Sequence, residues 1–350
     1  MKIGTYKEKY KIAVIQESII TWIEQAVTSL SWNGSTSEAS RTLNMECLKV
    51  DGKTDIPLGS AIIIYSAANN KNEKQELMRY ILTKKSKTRS STTIKYTARD
   101  IRWWLTRSKI DRKFENMTAS SILLDICKSV GIDTGEVQDT KEIFGCLHFI
   151  KKSPWDIIIT ALTETRKKNG KKFTVKVNNG KLDLVEKLTQ AKKWVIEEGV
   201  NLIDATYDED IESIYTQVKV NGKDEDGNEI SAVSKNEEKA KLYGIMQEQV
   251  DQSESITQED ANRIAAQKLK ELSELKRGGT IKTLGIDDIQ SGDAVYVVDK
   301  ETGLIGGFYI ESDSHKYCNG YHEMSLTLSW TDDLPQIEYE APKEDKEKEE

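Results

Sequence analysis

Gly285, then Ser291-Gly292-Asp293-Ala294-Val295-Tyr296-Val297, then Phe308-Tyr309-Ile310, then a run from His315 to Leu328: this ordered set decides the fold. Gly292-Asp293 is a tight-turn signal. Val295 and Val297 flank Tyr296 with the period of two expected of a half-buried strand. The run from His315 to Leu328 folds back on itself around Cys318-Asn319-Gly320, which reads as a hairpin turn. A helix leading into a tight turn, an alternating strand and a late hairpin is the ground plan of a closing β-barrel, here over about residues 256–330.

The helix that leads in starts at Thr257, whose hydroxyl caps it, with Asp260 three residues on in a variant capping box. Ala261, Ile264, Ala265, Leu269 and Leu272 form a stripe narrow enough to lie flat on a sheet, and Gly278-Gly279 is the expected stop near Lys276. Before it, residues 211–220 and 229–233 read as strands around Asp224-Glu225-Asp226-Gly227-Asn228. That acidic turn lacks the ligand ladder and closing glutamate of a calcium loop, so a solvated hairpin turn is expected.

Further back the period is 3.6. Thr118 caps a helix to Val130, with Ile122, Ile126 and Val130 on one stripe and Gly131 as its left-handed end. Ser153-Pro154 announces a second helix, buried through Trp155, Ile158, Ile159 and Leu162 and ended by Asn169-Gly170. Residues 173–177 and 182–186 then form a hairpin around Asn178-Asn179-Gly180. The first hundred residues are β-rich, with strands expected at 12–16, 42–48, 60–65, 78–84 and 92–96. Asn33-Gly34, Asp51-Gly52-Lys53 and Asn69-Asn70 supply the turn signals.

At 350 residues, two or three domains are expected. With 37% apolar and 31% charged residues each can bury a core, and a net charge of −7 argues against a dedicated nucleic-acid binder. The N-terminus carries no apolar run of signal-peptide length, and no stretch is long enough to span a bilayer. Cys47, Cys127, Cys146 and Cys318 are scattered, so they read as small buried hydrophobes rather than a disulfide framework.

The 256–330 module, the stretch from Tyr96 to Gly131 and Tyr243-Gly244 together resemble the XkdQ/YqbQ family of baseplate hub proteins from phage-like elements and contractile tails. Late control protein D and the VgrG hubs are its distant relatives. The resemblance spans roughly residues 10–332 and rests on the order and spacing of motifs. It implies an α+β, β-rich fold: two tail-tube-like antiparallel β-barrels with a smaller mixed α/β domain between them. The expected domains are 1–100 (first barrel), 101–190 (mixed), 191–335 (second barrel, with the helix at about 257–276) and 336–350, a disordered acidic tail. Residues 338–350 carry seven acids and three bases.

Carried over residue by residue, Tyr96 and Asp100 mark the exit from the first barrel, and Tyr243-Gly244 precedes the connector to the Thr257 helix. Gly292, Asp293 and Val295 make the turn and strand of the second barrel, while His315 and Met324 belong to the returning hairpin. Ser291 stands where relatives often place proline. The implied role is structural: a homotrimer joining a sixfold tail tube to a threefold central spike, with a LysM-type tail protein and baseplate wedge proteins as further partners. It would be made in the bacterial cytoplasm and assembled into the baseplate, with no cofactor, no membrane and no specific nucleic acid.

Three constellations could carry other chemistry. His315, Cys318 and His322 have metal-ligand residue types, but a cysteine at a hairpin tip points away from paired histidines, so structural histidines are expected. Residues 84–113 hold eleven Lys or Arg against Asp100 and Asp111, interleaved with Tyr96, Trp103 and Trp104; this is the argument for a nucleic-acid-binding β-barrel protein. A receptor- or glycan-binding tail accessory would draw an aromatic patch from Trp22, Trp32 or Trp194. Three histidines in no triad context, and Asp208 and Asp210 without apolar framing, leave an enzyme little to work with.

Overall fold

Alternation of apolar and polar side chains organises both ends of the chain into strands, which the computed structural model describes for residues 10–50, 54–66, 75–187, 191–318 and 320–342. The N-terminal block contains β1 (Tyr10–Gln16), β2 (Ile19–Trp22), β3 (Val27–Ser35), β4 (Thr42–Leu48), β5 (Ala61–Ser66), β6 (Gln75–Lys87) and β7 (Thr93–Arg99). A 3-10 turn, Ile101–Thr106, leads to β8 (Ile110–Thr118), α1 (Ala119–Val130), β9 (Thr134–Val137), β10 (Ile143–Lys152), α2 (Pro154–Asn169), β11 (Phe173–Asn178) and β12 (Lys181–Glu186). Next come β13 (Ala191–Glu197), β14 (Leu202–Asp210), β15 (Gln217–Lys223), β16 (Glu229–Lys235), α3 (Glu237–Tyr243), β17 (Gln247–Ser255) and α4 (Gln258–Leu272). The chain ends with β18 (Lys276–Leu284), β19 (Ala294–Val298), β20 (Ile305–Cys318) and β21 (Tyr321–Ser329).

The first block is ordered β2-β1-β5-β6-β7-β4-β3 and the last β13-β19-β20-β21-β18-β14. With β1 set aside, both have the same order when strands are numbered along the chain within each block: first, fourth, fifth, sixth, third, second. Directions agree as well. β13 runs parallel to β19, and β2, antiparallel to β1, which is itself antiparallel to β5, runs parallel to β5. The strands at the two ends of each order are consecutive in the chain, joined by residues 23–26 in one block and 198–201 in the other.

Local details repeat too. Gly59 donates to the Leu82 carbonyl and Leu82 to that of Ser60, as Gly292 donates to Ile310 and Ile310 to Asp293. Both glycines hold φ near the left-handed region, +86° and +88°, where a side chain would be strained. A β-bulge interrupts β6 against β7 between Leu82 and Lys84, and β20 against β21 between Ile310 and Ser312. Bulges of this kind bend the strand and raise its twist. Among the described residues, the hydrogen-bonded ladder closes on itself in neither block. Instead β20 pairs with β3, Ser312 opposite Ser35 through Cys318 opposite Ser29, and merges them into one thirteen-stranded sheet.

Between the blocks, α1 and α2 share an apolar core with β8, β10, β11 and β12 through Leu105, Phe114, Ile122, Ile126, Phe149, Ile158 and Leu184. Thr118 caps α1 and Gly131 ends it at φ +71°; Ser153 caps α2, with Pro154 in its first turn. Asn179 and Gly180, both at positive φ, turn β11 into β12.

The chain separates into two compact units, Met1–Ala205 with Thr280–Glu350, and Thr206–Gly279. In the second, β15 lies between β16 and β17, and α4 lays Ala261, Ala265 and Leu269 on Val218, Val220 and Ala232. The Thr257 helix thus finds the flat sheet its stripe calls for within this smaller unit.

Several expectations need correction. Asn33-Gly34 is not a turn but the end of β3. Glycine is needed there because a Cβ would lie 2.4 Å from the Arg41 guanidinium. Helix α4 ends at Leu272 with Ser273 as its cap, and Gly278-Gly279 lie inside β18. Residues 211–216 precede β15 rather than belonging to it. Cys146 is exposed, whereas Cys47 and Cys127 are buried, and burial pushes their thiols up to about 12 and about 11. The start of the presumed tail is docked: the Ile337 N–H bonds Thr163, and Tyr339 packs on Phe149 and donates to the His148 carbonyl. Residues 51–53, 69–70 and 343–350 lie outside the described residues.

Candidate functional site: the polar junction between the strand blocks

Where β3 meets β20, charge is buried instead of apolar surface. On β20, Asp313, His315 and Tyr317 share the buried side, while Ser314 and Lys316 alternate outward. Arg41, just before β4, crosses over Gly34 and grips the Asp313 carboxylate with both ends of its guanidinium, one bond measuring 2.8 Å. Asp313 also accepts the Ser291 N–H at 2.6 Å and faces His315 Nε2 at 3.4 Å. Its side chain is 0% exposed. Burial alone would raise this carboxyl's pKa, but the hydrogen bonds from His315 and Arg41 hold it well below the ordinary carboxylate range. Burial likewise works against the Arg41 charge, yet Asp313 keeps the guanidinium's pKa above its usual value.

The network continues through the histidines. His315 Nε2 also lies 3.1 Å from the Ile289 carbonyl, an acceptor, so this nitrogen carries a proton. His315 Nδ1 is 3.1 Å from His322 Nε2, and His322 Nδ1 is 3.2 Å from the Tyr10 hydroxyl and 3.3 Å from Asp287. Tyr10 donates to Asp287, and burial, followed by the Asp287 charge, raises the phenol's pKa. Trp32 stacks on His315 with ring centroids 5.0 Å apart. Gly285 is required beside His322, since a Cβ there would sit 2.1 Å from the ring. Tyr10, Trp32 and Arg41 come from the first block; Asp287, Asp313, His315 and His322 come from the last. The junction therefore ties together segments nearly three hundred residues apart in the chain.

The residues singled out in the sequence fall in several places. Asp100 caps the 3-10 turn through the Arg102 N–H at 3.0 Å and accepts the Arg41 N–H at 2.9 Å, next to the junction. Tyr96 is buried in β7; its hydroxyl donates to the Thr54 carbonyl and accepts the Ile56 N–H. Gly292 turns the chain, Asp293 accepts the Gln290 N–H, and Val295 and Met324 are core. Tyr243 ends α3 and Gly244 caps it at φ +90°, within the smaller unit. Only His315 of the set lies at the centre of the junction. Arg41, Asp313, Asp287 and Tyr10 escaped sequence reasoning, and Trp32 was singled out only for a surface patch. Their one local signal was Asp313, His315 and Tyr317 spaced by two in a strand, polar residues where core is expected.

The alternative sites do not converge. His315 and His322 meet, but Cys318 turns its sulfur to the Thr28 carbonyl, and no group of three or more metal-ligating side chains occurs among the described residues. Asp224 spends its carboxylate on the N–H groups of Asp226 and Asn228 within its own turn. In the basic stretch, Lys85 and Lys87 pair with Asp55, Lys95 with Glu46, Arg102 with Asp100, Arg112 with Asp125 and Lys113 with Glu115. Trp104 is half exposed there; of the tryptophans offered for an aromatic patch, Trp32 is buried, while Trp22 and Trp194 are exposed. A cleft of about 730 Å³ beside the junction is lined by Arg41, Arg102, Lys172 and Lys187, but these cations are bound to Asp313, Asp100 and Asp332. No helix among the described residues is long and apolar enough to cross a membrane.

Comparison with known proteins places this geometry among relatives. A family model described as YQBQ-like matches residues 30–329. YqbQ of Bacillus subtilis strain 168 is 26% identical over 333 residues, which cover 93% of this chain and 98% of that protein. The phage-like element PBSX protein XkdQ of the same organism is 24% identical over 321 residues, covering 90% and 96%. Among solved structures, the 43 kDa tail protein of prophage MuSo2 from Shewanella oneidensis superposes with a TM-score of 0.66 at 16% identity, over 91% of this chain and 98% of that one.

Proposed function

The chain belongs to the YQBQ-like family, and from that premise we propose that it is a structural hub of a phage tail or phage-tail-like particle, acting by assembly rather than by turnover. In this reading each strand block is one barrel-like unit of tail-tube type. Three copies then present six units in a ring, which meets a sixfold tube on one side and a threefold spike on the other. The repeated strand order of the two blocks is the observation that carries the reading, because a chain with two equivalent units is what reconciles the two symmetries. The tail protein of prophage MuSo2, which has a similar fold, supports the setting. The buried junction supports the mechanics: an Arg–Asp pair with aromatic and histidine neighbours fixes the register of one block against the other.

The purified chain, alone and mixed with its tail tube protein, tests this by electron microscopy and light scattering. Rings with threefold symmetry and a central hole are expected, with no salt-dependent retention on DNA. A particle of another symmetry, or a monomer that never joins the tube, would overturn it.

A further inference from the structure

Within one chain, the block-to-block contact is made by particular strands. β3, the second strand of its block, pairs with the part of β20 beyond the bulge, residues 312–318. β20, the fifth strand of its block, pairs with β19 only before the bulge, over residues 305–309. β6 is the fifth strand of the first block and is built the same way. It pairs with β5 up to Ile81, bulges between Leu82 and Lys84, and continues to Lys87 against β7. On its other side, residues 84–87 have no ladder partner among the described residues. The second strand of the last block, β14, also has nine residues, as β3 has, and ends the sheet order with one edge unpaired among the described residues. Leu48 donates to the residue before β3 and Leu284 to the residue before β14, which aligns the two strands.

We propose that β14 of one copy pairs antiparallel with residues 84–87 of β6 in the next copy, repeating between chains the contact that β3 and β20 make within one. This rests on the ring reading and names the surface that closes the ring. The partner is a second copy of this chain because the two open edges match in charge as well as in place. The alignment sets Lys84, Lys85 and Lys87 beside the far end of β14, which carries Asp208, Glu209 and Asp210. The match survives the neighbours, since Arg277 reaches Glu209 and Asp55 reaches two of the lysines, which leaves each edge with a net charge of opposite sign. The loop before β5 does not block the edge, because its counterpart before β19 lies beside β20 without displacing β3. Such a contact is head to tail, so it closes into a ring when its rotation divides a full turn.

Charge reversal tests it. Wild type, Lys84→Glu/Lys87→Glu, Asp208→Lys/Asp210→Lys and the fourfold variant are compared by analytical ultracentrifugation. The wild type should trimerise, each double variant should weaken the trimer by about 100-fold or more, and the fourfold variant should recover most of that loss. A trimer indifferent to the reversals, or not recovered in the fourfold variant, overturns this pairing and leaves the ring reading standing. A wild type that stays monomeric at every concentration, with or without the tube protein, overturns the ring reading and the pairing with it.

Discussion

β20 and β6 hold the same place in the two strand blocks, with the same bulge and the same glycine turn feeding their neighbour, yet they carry opposite chemistry. Beyond its bulge β20 presents Asp313 and His315 to a closed, buried junction. β6 presents Lys85 and Lys87 to an open edge, where both reach the exposed Asp55. On the proposed pairing between copies, the difference follows from when each edge finds its partner. β20 meets β3 as the chain folds, so its charges can be desolvated for good against Arg41. An edge that waits for another molecule must stay soluble and must not pair wrongly, and lysine on an open strand serves both needs. One scaffold therefore holds a buried seam and an open edge, distinguished by side chains at equivalent positions.

The largest expected effect breaks the permanent seam. Arg41→Met leaves Asp313 buried without its cation, which should cost about 3–5 kcal/mol in denaturant unfolding followed by tryptophan fluorescence. Lys85→Met, at the place on β6 equivalent to Asp313 on β20, should leave the midpoint unchanged. Equal losses at the two sites would show that the seams do not differ as argued. Next in size is Gly285→Ala, whose new methyl must displace the His322 ring within the closed network, at about 1–3 kcal/mol. Gly34→Ala should cost a similar amount, because its methyl meets the Arg41 guanidinium, which the buried Asp313 holds in place.

Acid sharpens the same comparison. Asp313 has a folded pKa below its unfolded value near 3.9, so the pair contributes fully above about pH 5, and the contribution drains away as the pH falls toward the folded value. Wild-type stability should therefore decline more steeply from about pH 5 to about pH 2.5 than that of an Arg41→Met/Asp313→Leu variant, measured as the denaturation midpoint. Parallel pH profiles would remove the ionic account of the junction.

Local signals made much of the fold legible. Thr118 with Gly131, Ser153-Pro154, Thr257 and Asn179-Gly180 each satisfy backbone groups within a few residues, so the helix starts and the hairpin follow from the sequence around them. The junction does not, because Arg41 and Asp313 meet only after β3 and β20 pair. Asn33-Gly34 misled for the same reason: its glycine answers to the guanidinium of Arg41, seven residues on, not to a turn. The internal repeat was present as Ile56-Pro57-Leu58-Gly59-Ser60-Ala61 against Ile289-Gln290-Ser291-Gly292-Asp293-Ala294, with the proline in the first copy. Three identities in six are too few to stand out. Shared hydrogen bonds and φ angles align the two segments where sequence could not.

The smallest effect separates the strand blocks from the smaller unit. Thr257 accepts the Asp260 N–H at 3.1 Å and donates to the Asp260 carboxylate, satisfying an orphan donor at the start of α4. Thr257→Ala should cost about 1 kcal/mol. Because α4 takes its buried contacts from Val218, Val220 and Ala232, that loss should appear as faster amide exchange in residues 217–272. Exchange at β3 and β20, whose register is held by Arg41 and Asp313, should stay at the wild-type rate. Faster exchange there as well would mean that the two compact units unfold as one, and that the junction draws part of its stability from a helix outside its own sheet.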